Sequence, residues 1–342
     1  MKAKTFLLGI TAMLLLTACD PESNSGRSLG DYEHGVFVVN EGNEVKGTIS
    51  YLAEDGSLVN DLLGVENPGQ NAGSFLQSIF FDGDKAFIIS NGSNKITVVN
   101  RYTFSYIGAI TTGLAVPRYG VVVDGKAYVT NLNTFGSLTD DYVSVIDTES
   151  LTTIKNIPMN ALADQITAHG NKVYVSNGNY GVGSTITVVE SATDVVSRIL
   201  ETDLGPNSLV VEDGKLYILC GSYTDDSSIN VLDVNSGLFI RRITFEDTMD
   251  NAQNLNIARG KMYFTVDNKV YQAPIDAIAV ADTPLIPSAA GSLYGFAVKS
   301  DKIYVADAKD YASNGKVYVY SLQGELLSDH TVGLNPNGFY FN

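Results

Sequence analysis

The chain has 342 residues and a formal net charge of −16, with 38 acidic against 22 basic side chains. Such acidity argues against nucleic acid or an anionic lipid surface as a partner, since both repel a strongly negative protein. Two cysteines cannot build a disulfide framework, and three histidines at positions 34, 169 and 330 offer no zinc spacing.

The chain opens with Lys2 and Lys4, an apolar run from Phe6 to Leu16, and then Leu16-Thr17-Ala18-Cys19. A basic start, a short apolar stretch and small residues before a cysteine predict a cleaved signal over residues 1–18. The apolar run is too short for a spanning helix. The segment resembles a bacterial lipoprotein signal, which implies cleavage before Cys19 and lipidation of its thiol. Acyl chains on Cys19 would anchor the protein to a membrane without crossing it. Loss of Lys2 and Lys4 would take the charge from −16 to −18. Residues 19–30 are polar and read as a flexible tether. Its acidic residues Asp20 and Glu22 resemble the export signal of surface lipoproteins in Bacteroidetes. With Cys19 acylated, Cys220 has no partner and is expected to be a buried, inert thiol.

From residue 31 to 342 one pattern repeats. Lysine followed two residues later by an aromatic opens a strand at Lys85, Lys126, Lys172, Lys215, Lys261 and Lys302, at intervals of 41, 46, 43, 46 and 41 residues. A period of this length predicts a β-propeller, a ring of small antiparallel sheets. Each copy has an apolar inner strand, a tight turn such as Asp124-Gly125, the lysine strand, a polar loop and two outer strands. The third strand recurs at Ile49, Ile96, Val143, Ile186, Ile229, Val270 and Val317, which counts seven blades. The inner-plus-second pair is intact only six times. Asn335–Phe341 supplies the missing inner strand and Gly35–Asn40 the missing second strand, so one blade is predicted to close the ring with both chain ends. The sixth blade is expected to be the weakest, because its loop shrinks to Asp267-Asn268 and Pro274 interrupts the segment beyond. A tryptophan-aspartate repeat propeller or a quinone-cofactor propeller would carry tryptophans, and the chain has none.

The inner-to-second turns are minimal, so the opposite face, with the longer second-to-third and blade-to-blade loops, is where binding is expected. Counting back from each lysine gives the residue that opens each inner strand: Gln77, Arg118, Asp164, Asn207, Gln253, Tyr294 and Asn337. This ring would rim the central channel. Around it the loops carry Asn91, Asn131, Phe135, Tyr142, Asn177, Tyr180, Tyr223, Asp225, Asp226 and Tyr311. Amides offer a donor and an acceptor together, and tyrosine adds area with a polar tip. The set suits a broad, amide-bearing ligand. Asparagine also serves strand ends and turns, so each single asparagine carries a structural reading as well. The aligned tyrosines Tyr128, Tyr174, Tyr217, Tyr263 and Tyr304 read as core.

Catalytic signals are weak. His34 and His169 map to the turn face, and no serine-histidine-acid set assembles. Gly178-Asn179-Tyr180-Gly181-Val182-Gly183 joins antiparallel strands and opens no helix, so it is not a phosphate loop. Asp140-Asp141 and Asp225-Asp226 could hold a structural calcium ion, or be solvated loop charge. Binding without catalysis, and without a required cofactor, is the expectation.

The Val145-Ile146-Asp147 and Tyr128-Val129-Thr130-Asn131 elements resemble the YVTN-type seven-bladed propellers, including the YncE and surface-layer groups. Over nearly the whole chain after residue 18, four segments resemble the BtuG surface lipoproteins of Bacteroidetes, a DUF5074-type group. These are Gly35–Gly42, Gln77-Ser78, Ser90–Lys95 and Asn335–Phe341. The resemblance implies an outer-membrane lipoprotein facing outward. It would capture cobalamin and related corrinoids and pass them to a TonB-dependent transporter of the BtuB type. A lactonase-like propeller enzyme with a channel-mouth metal at Asp164, or a scaffold binding protein or glycan, are the alternatives. The fold shared by so many propellers does not choose among them.

Overall fold

Strands form where β-branched and aromatic residues run without interruption, as in Lys126–Asn131 and Lys172–Ser176. The computed structural model describes residues 28–178 and 181–342. The segments expected to be a signal and, up to residue 27, a tether, with Cys19 among them, and Tyr180 lie outside the described residues.

Seven sheets form among the described residues. Blade 1 places Pro336–Phe341 innermost, followed by Gly35–Asn40, Thr48–Ala53 and Leu58–Val59. The inner strands of blades 2 to 7 are Leu76–Asp82, Pro117–Val123, Ile166–His169, Pro206–Glu212, Gln253–Ala258 and Leu293–Lys299. Neighbouring inner strands touch in cyclic order, blade 7 against blade 1 and blade 1 against blade 2, so the ring is closed. The expected seven-bladed β-propeller, sealed by pairing of the chain's two ends, is what the protein forms. In the sealing ladder Val36 faces Phe341 and Val38 faces Phe339.

Side chains alternate across a strand, and here both sides of a blade are covered by its neighbours. Phe37 and Val39 enter the cluster shared with blade 2, while Val36 and Val38 enter the one shared with blade 7. The same division gives seven apolar clusters, one in each gap between blades. Burial on both faces explains why the second and third strands read as unbroken apolar runs.

The lysine-aromatic repeat has a specific job. Lys85, Lys126 and Lys172 each extend Nζ to a backbone carbonyl in the third-to-fourth turn of the following blade, at Thr148, Ser191 and Asn235. The Tyr128 and Tyr174 phenols donate into the same turns, to the Asp194 carboxylate and the Val234 carbonyl. In blades 2, 3 and 4 the motif thus fastens one blade to the next at this end, whereas Lys261 turns to Gln272 of its own blade.

At Asp124-Gly125 and Asp213-Gly214 both turn residues have positive φ, as a two-residue hairpin of matching twist requires. In blade 2 the register pairs Asp82 with Lys85, which places the two-residue turn at Gly83-Asp84. Blade 6 is reduced as expected, to three strands. Pro274 ends its third strand, and Ala279–Val280 joins the outer edge of blade 5 in parallel, while Ile286 bridges back to Val270. A short helix, Leu62–Glu66, interrupts the all-β pattern and buries Leu62 and Leu63 beside Tyr32 and Phe104. Among the described residues no helix is long and apolar enough to cross a membrane.

Candidate functional site at the channel mouth

The inner strands do not begin smoothly. Register shifts fall between Leu76 and Ser78, Pro206 and Ser208, and Leu293 and Gly295, and Asn337 is skipped between Pro336 and Gly338. A bulge re-aims the extra residue, and the extra residues are Gln77, Asn207, Tyr294 and Asn337, four of the predicted ring. In blade 3 the shift spans Arg118 and Tyr119. In blade 6 it falls after Gln253, on Asn254 and Leu255, and Gln253 itself is exposed.

Most ring side chains reach to the following blade. Gln77 donates to the Tyr119 hydroxyl at 3.0 Å, and Arg118 pairs with Asp164 at 2.8 Å. Asn207 donates to the Ala252 carbonyl at 2.9 Å, Tyr294 to the Glu41 carboxylate at 2.5 Å, and Asn337 to the Leu76 carbonyl at 2.9 Å. A ring of polar residues thus has a structural reason to recur, as a clasp between blades. The sequence-level view of amides presenting both halves to a ligand needs correcting: the N–H halves of Asn207 and Asn337 are engaged by carbonyls.

The loop asparagines divide further. Asn131 is buried, donates to the Val129 carbonyl and to Ser144, and accepts from the Ala115 N–H. Asn177 is buried, donates to the Leu162 carbonyl and accepts from Thr185 and Thr187. Both serve loop structure and leave nothing for a ligand. Asn91 donates to Gln77 at 2.9 Å and steadies the ring from outside. The aromatics behave otherwise: Phe135, Tyr223, Tyr311 and Tyr294 are 83%, 74%, 52% and 39% exposed. Tyr311 meets Tyr294 edge-on at 5.5 Å between ring centroids. Tyr142 sits half-buried with its hydroxyl near the Gly113 carbonyl, and Asp225 and Asp226 are exposed.

Glu41, which sequence reasoning passed over, belongs to this site. Burial raises its carboxyl above the usual range, while the Tyr294 hydroxyl and the Arg118 charge hold it down. Burial and the bond to Glu41 push the Tyr294 phenol upward in turn. Its position directly after the second strand of blade 1, where Asn91 follows that of blade 2, was the available signal.

Asp141 stands in the same field. It is 1% exposed, accepts the Ala163 N–H at 2.8 Å and keeps Oδ1 without a donor. Burial foremost, and the Asp140 charge, push its carboxyl up to about 6, against the pull of the Ala163 N–H and Arg118. The folded protein therefore binds one more proton than the unfolded chain between about pH 4 and 6. Stability from this group is present at low pH and is lost as pH rises through about 6. Asp141→Asn is expected to flatten that segment of the stability curve, measured by urea melts at several pH values; an unchanged slope would contradict it. The calcium expected as a possibility at Asp140-Asp141 has only these two adjacent carboxylates to meet it. Among the described residues no group of three or more His, Cys, Asp or Glu side chains is arranged to hold a metal ion. Cys220 is buried and burial raises its thiol strongly, as expected of an inert cysteine.

The fold has many structural relatives. The chain superimposes on hydrazine synthase from Kuenenia stuttgartiensis with TM-score 0.58 at 17% identity, covering 79% of this chain and 92% of that one. It matches BamB from Moraxella catarrhalis with TM-score 0.57 at 14% identity over 92% and 89% of the two chains. A functionally unknown protein from Desulfotomaculum acetoxidans gives TM-score 0.66 at 12% identity over 89% and 98%. At such identities the likeness is one of fold. No curated protein matches the sequence. The match that extends over the whole wheel, residues 34–341, is to a domain of unknown function, and the chain accordingly belongs to the DUF5074 family.

Proposed function

We propose that the protein captures corrinoids non-covalently on its loop-rich face and, as a surface lipoprotein anchored through Cys19, hands them to a TonB-dependent outer-membrane transporter. The observation that carries this reading is the pairing of a polar, Tyr- and carboxylate-lined mouth with exposed aromatic side chains on the loops of the same face. A corrin is broad and roughly planar, with apolar faces and an amide fringe. Tyr223, Tyr294, Tyr311 and Phe135 offer the stacking area at low entropy cost. Glu41, Asp164 and the phenols offer polar partners for the fringe. Function here is recognition and release, with no bond made or broken. The structural relatives support the propeller fold alone.

Mixing purified protein with cyanocobalamin and following visible absorbance on a sizing column tests the reading. Co-elution is expected, and Tyr294→Ala is expected to weaken binding about tenfold, the value of one buried aromatic contact with its hydrogen bond. Absence of co-elution at micromolar concentrations, or unchanged affinity in Tyr294→Ala and Tyr223→Ala together, would refute it.

A further inference from the structure

The clasp at the turn end is complete in one gap between blades and unmade in another. Between blades 4 and 5, Tyr174, Lys172 and Arg198 donate to three successive carbonyls of the blade 5 turn, those of Val234, Asn235 and Ser236. The space left there is about 220 Å³. Between blades 7 and 1 the register puts Tyr304, Lys302 and Ser328 at the same three places, since Val319 faces Tyr304 and Ser328 as Val188 faces Tyr174 and Arg198. Neither the Lys302 ammonium nor the Tyr304 hydroxyl has a hydrogen-bond partner among the described residues, although Tyr304 is only 8% exposed. Two differences open this gap. Ser328 is too short to stand in for the Arg198 guanidinium. The blade 1 turn is also tighter, closed by the Ala53 N–H on the Ser57 carbonyl, where the blade 5 turn runs one residue longer, from Asp233 to Leu238.

A cavity of about 530 Å³ results, within the size range of small-ligand sites. Val36, Leu52, Val319 and Phe341 wall it, and Tyr304 meets Phe341 edge-on at 5.3 Å between ring centroids. The Tyr304 hydroxyl, unpartnered yet not sealed off, is reachable from the cavity. Charges round the rim cancel: Lys299 and Lys302 stand against Glu54 and Asp55, and Asp301 is paired with Arg259 at 2.9 Å. Burial lowers the His330 imidazole, against the pull of Asp329, so it adds little charge at neutral pH.

We infer that this cavity is a second binding site, on the face opposite the channel mouth, for a short apolar peptide whose backbone carbonyls take the Lys302 ammonium and the Tyr304 hydroxyl. The occupant is defined by what fills the equivalent gap: two successive carbonyls, with the Val234 side chain packed into the apolar cluster beside them. A buried donor without an acceptor is costly, and a ligand that brings acceptors recovers the bonds the fold leaves unmade. A rim without net charge favours an uncharged backbone over an anion. The site is independent of the corrinoid reading.

The test is isothermal titration of the whole protein with N-acetyl-valyl-asparagine amide, the residue pair that completes the gap between blades 4 and 5. A dissociation constant of about 1 mM or tighter is expected for a ligand of this size. Tyr304→Phe is expected to weaken binding about fivefold and to leave the melting temperature unchanged, because the hydroxyl holds nothing in the fold. Ser328→Arg, which installs the side chain found in blade 4, is expected to fill the cavity and weaken binding at least about tenfold. Absence of heat and of saturation-transfer NMR signal at about 10 mM peptide, or binding that neither substitution changes, overturns the site. Co-elution with cyanocobalamin is expected to be the same in both variants, so the two readings fail separately.

Discussion

Deletion of residues 336–342 is expected to leave a chain that does not fold. The segment is the inner strand of blade 1, and its removal strips the ladder from Gly35–Asn40. It also takes Phe339 out of the cluster between blades 7 and 1, where its ring lies 5.7 Å from that of Tyr304. Loss of one such buried ring costs about 3–5 kcal/mol by itself. The last residue does more. Asn342 accepts from the Arg101 guanidinium, donates to the Tyr32 carbonyl, and donates to the Arg101 carbonyl at 2.8 Å. Arg101 in turn lies 3.9 Å above the Phe81 ring. Together with the lost ladder, these losses are comparable to the roughly 5–15 kcal/mol by which domains are stable. Circular dichroism and a sizing column would read the outcome, and a synthetic peptide of residues 335–342 added in trans is expected to restore the fold. A truncated chain melting cooperatively at the temperature of the full one would sink the idea. The point version, Arg101→Ala, is expected to cost about 2–3 kcal/mol.

Gly205→Ala is expected to lower stability by about 3 kcal/mol, and Gly125→Ala by only about 1 kcal/mol. The two glycines have nearly the same backbone, φ +77° and φ +74°. Both substitutions place a side chain in the left-handed region. They differ in what a Cβ would meet: the Gly221 carbonyl oxygen at 2.1 Å from position 205, and nothing within 4 Å of position 125. The difference isolates steric cost from conformational cost. In a protein of this size it corresponds to about 4 °C between the two melting temperatures. Equal melting temperatures would show that the loops around Gly205 yield without strain.

Gly205 belongs to a stretch that shows how far sequence reasoning reaches. The glycines at 178, 181 and 183 have only a superficial likeness to a glycine-rich phosphate loop, and their place between antiparallel strands excludes that use. Their actual use is close backbone approach: a Cβ at Gly178 would lie 2.0 Å from the Pro206 carbonyl oxygen, and at Gly183 1.7 Å from that of Asn177. The fold is legible because each strand is a local pattern, and in blades 2, 3 and 4 the lysine at the second strand's start repeats the same contact. Blade 6 is legible as weak, since Pro274 announces itself. The transfer of Ala279–Val280 to blade 5 is not, because a two-residue parallel strand depends on an edge, Thr244-Phe245, far upstream in the chain.

The site is half legible for the same kind of reason. Counting back from the lysines finds the bulged residue in blades 2, 5 and 7 and falls one short in blade 6, where Asn254 and Leu255 are the extra residues. Whether an amide turns inward or is consumed by the neighbouring blade depends on partners dozens of residues away. Asn131 and Asn177 therefore resemble ligand contacts in the sequence and are loop supports in the structure. Glu41 has the look of a strand-end residue and is held against Tyr294 across the ring's seam.

That seam has a mechanical meaning. Leu29 to His34 run beside Asn342, and the Tyr32 amide is held by the Tyr102 carbonyl at 2.9 Å. Tension arriving along the chain ahead of Leu29 would therefore reach Tyr32 and the partners that hold it, Tyr102, Asn342 and Glu66. The rivet that completes the circle is also the pin that takes the pull, and a tug from that direction strains the join while the blades farther round stay slack.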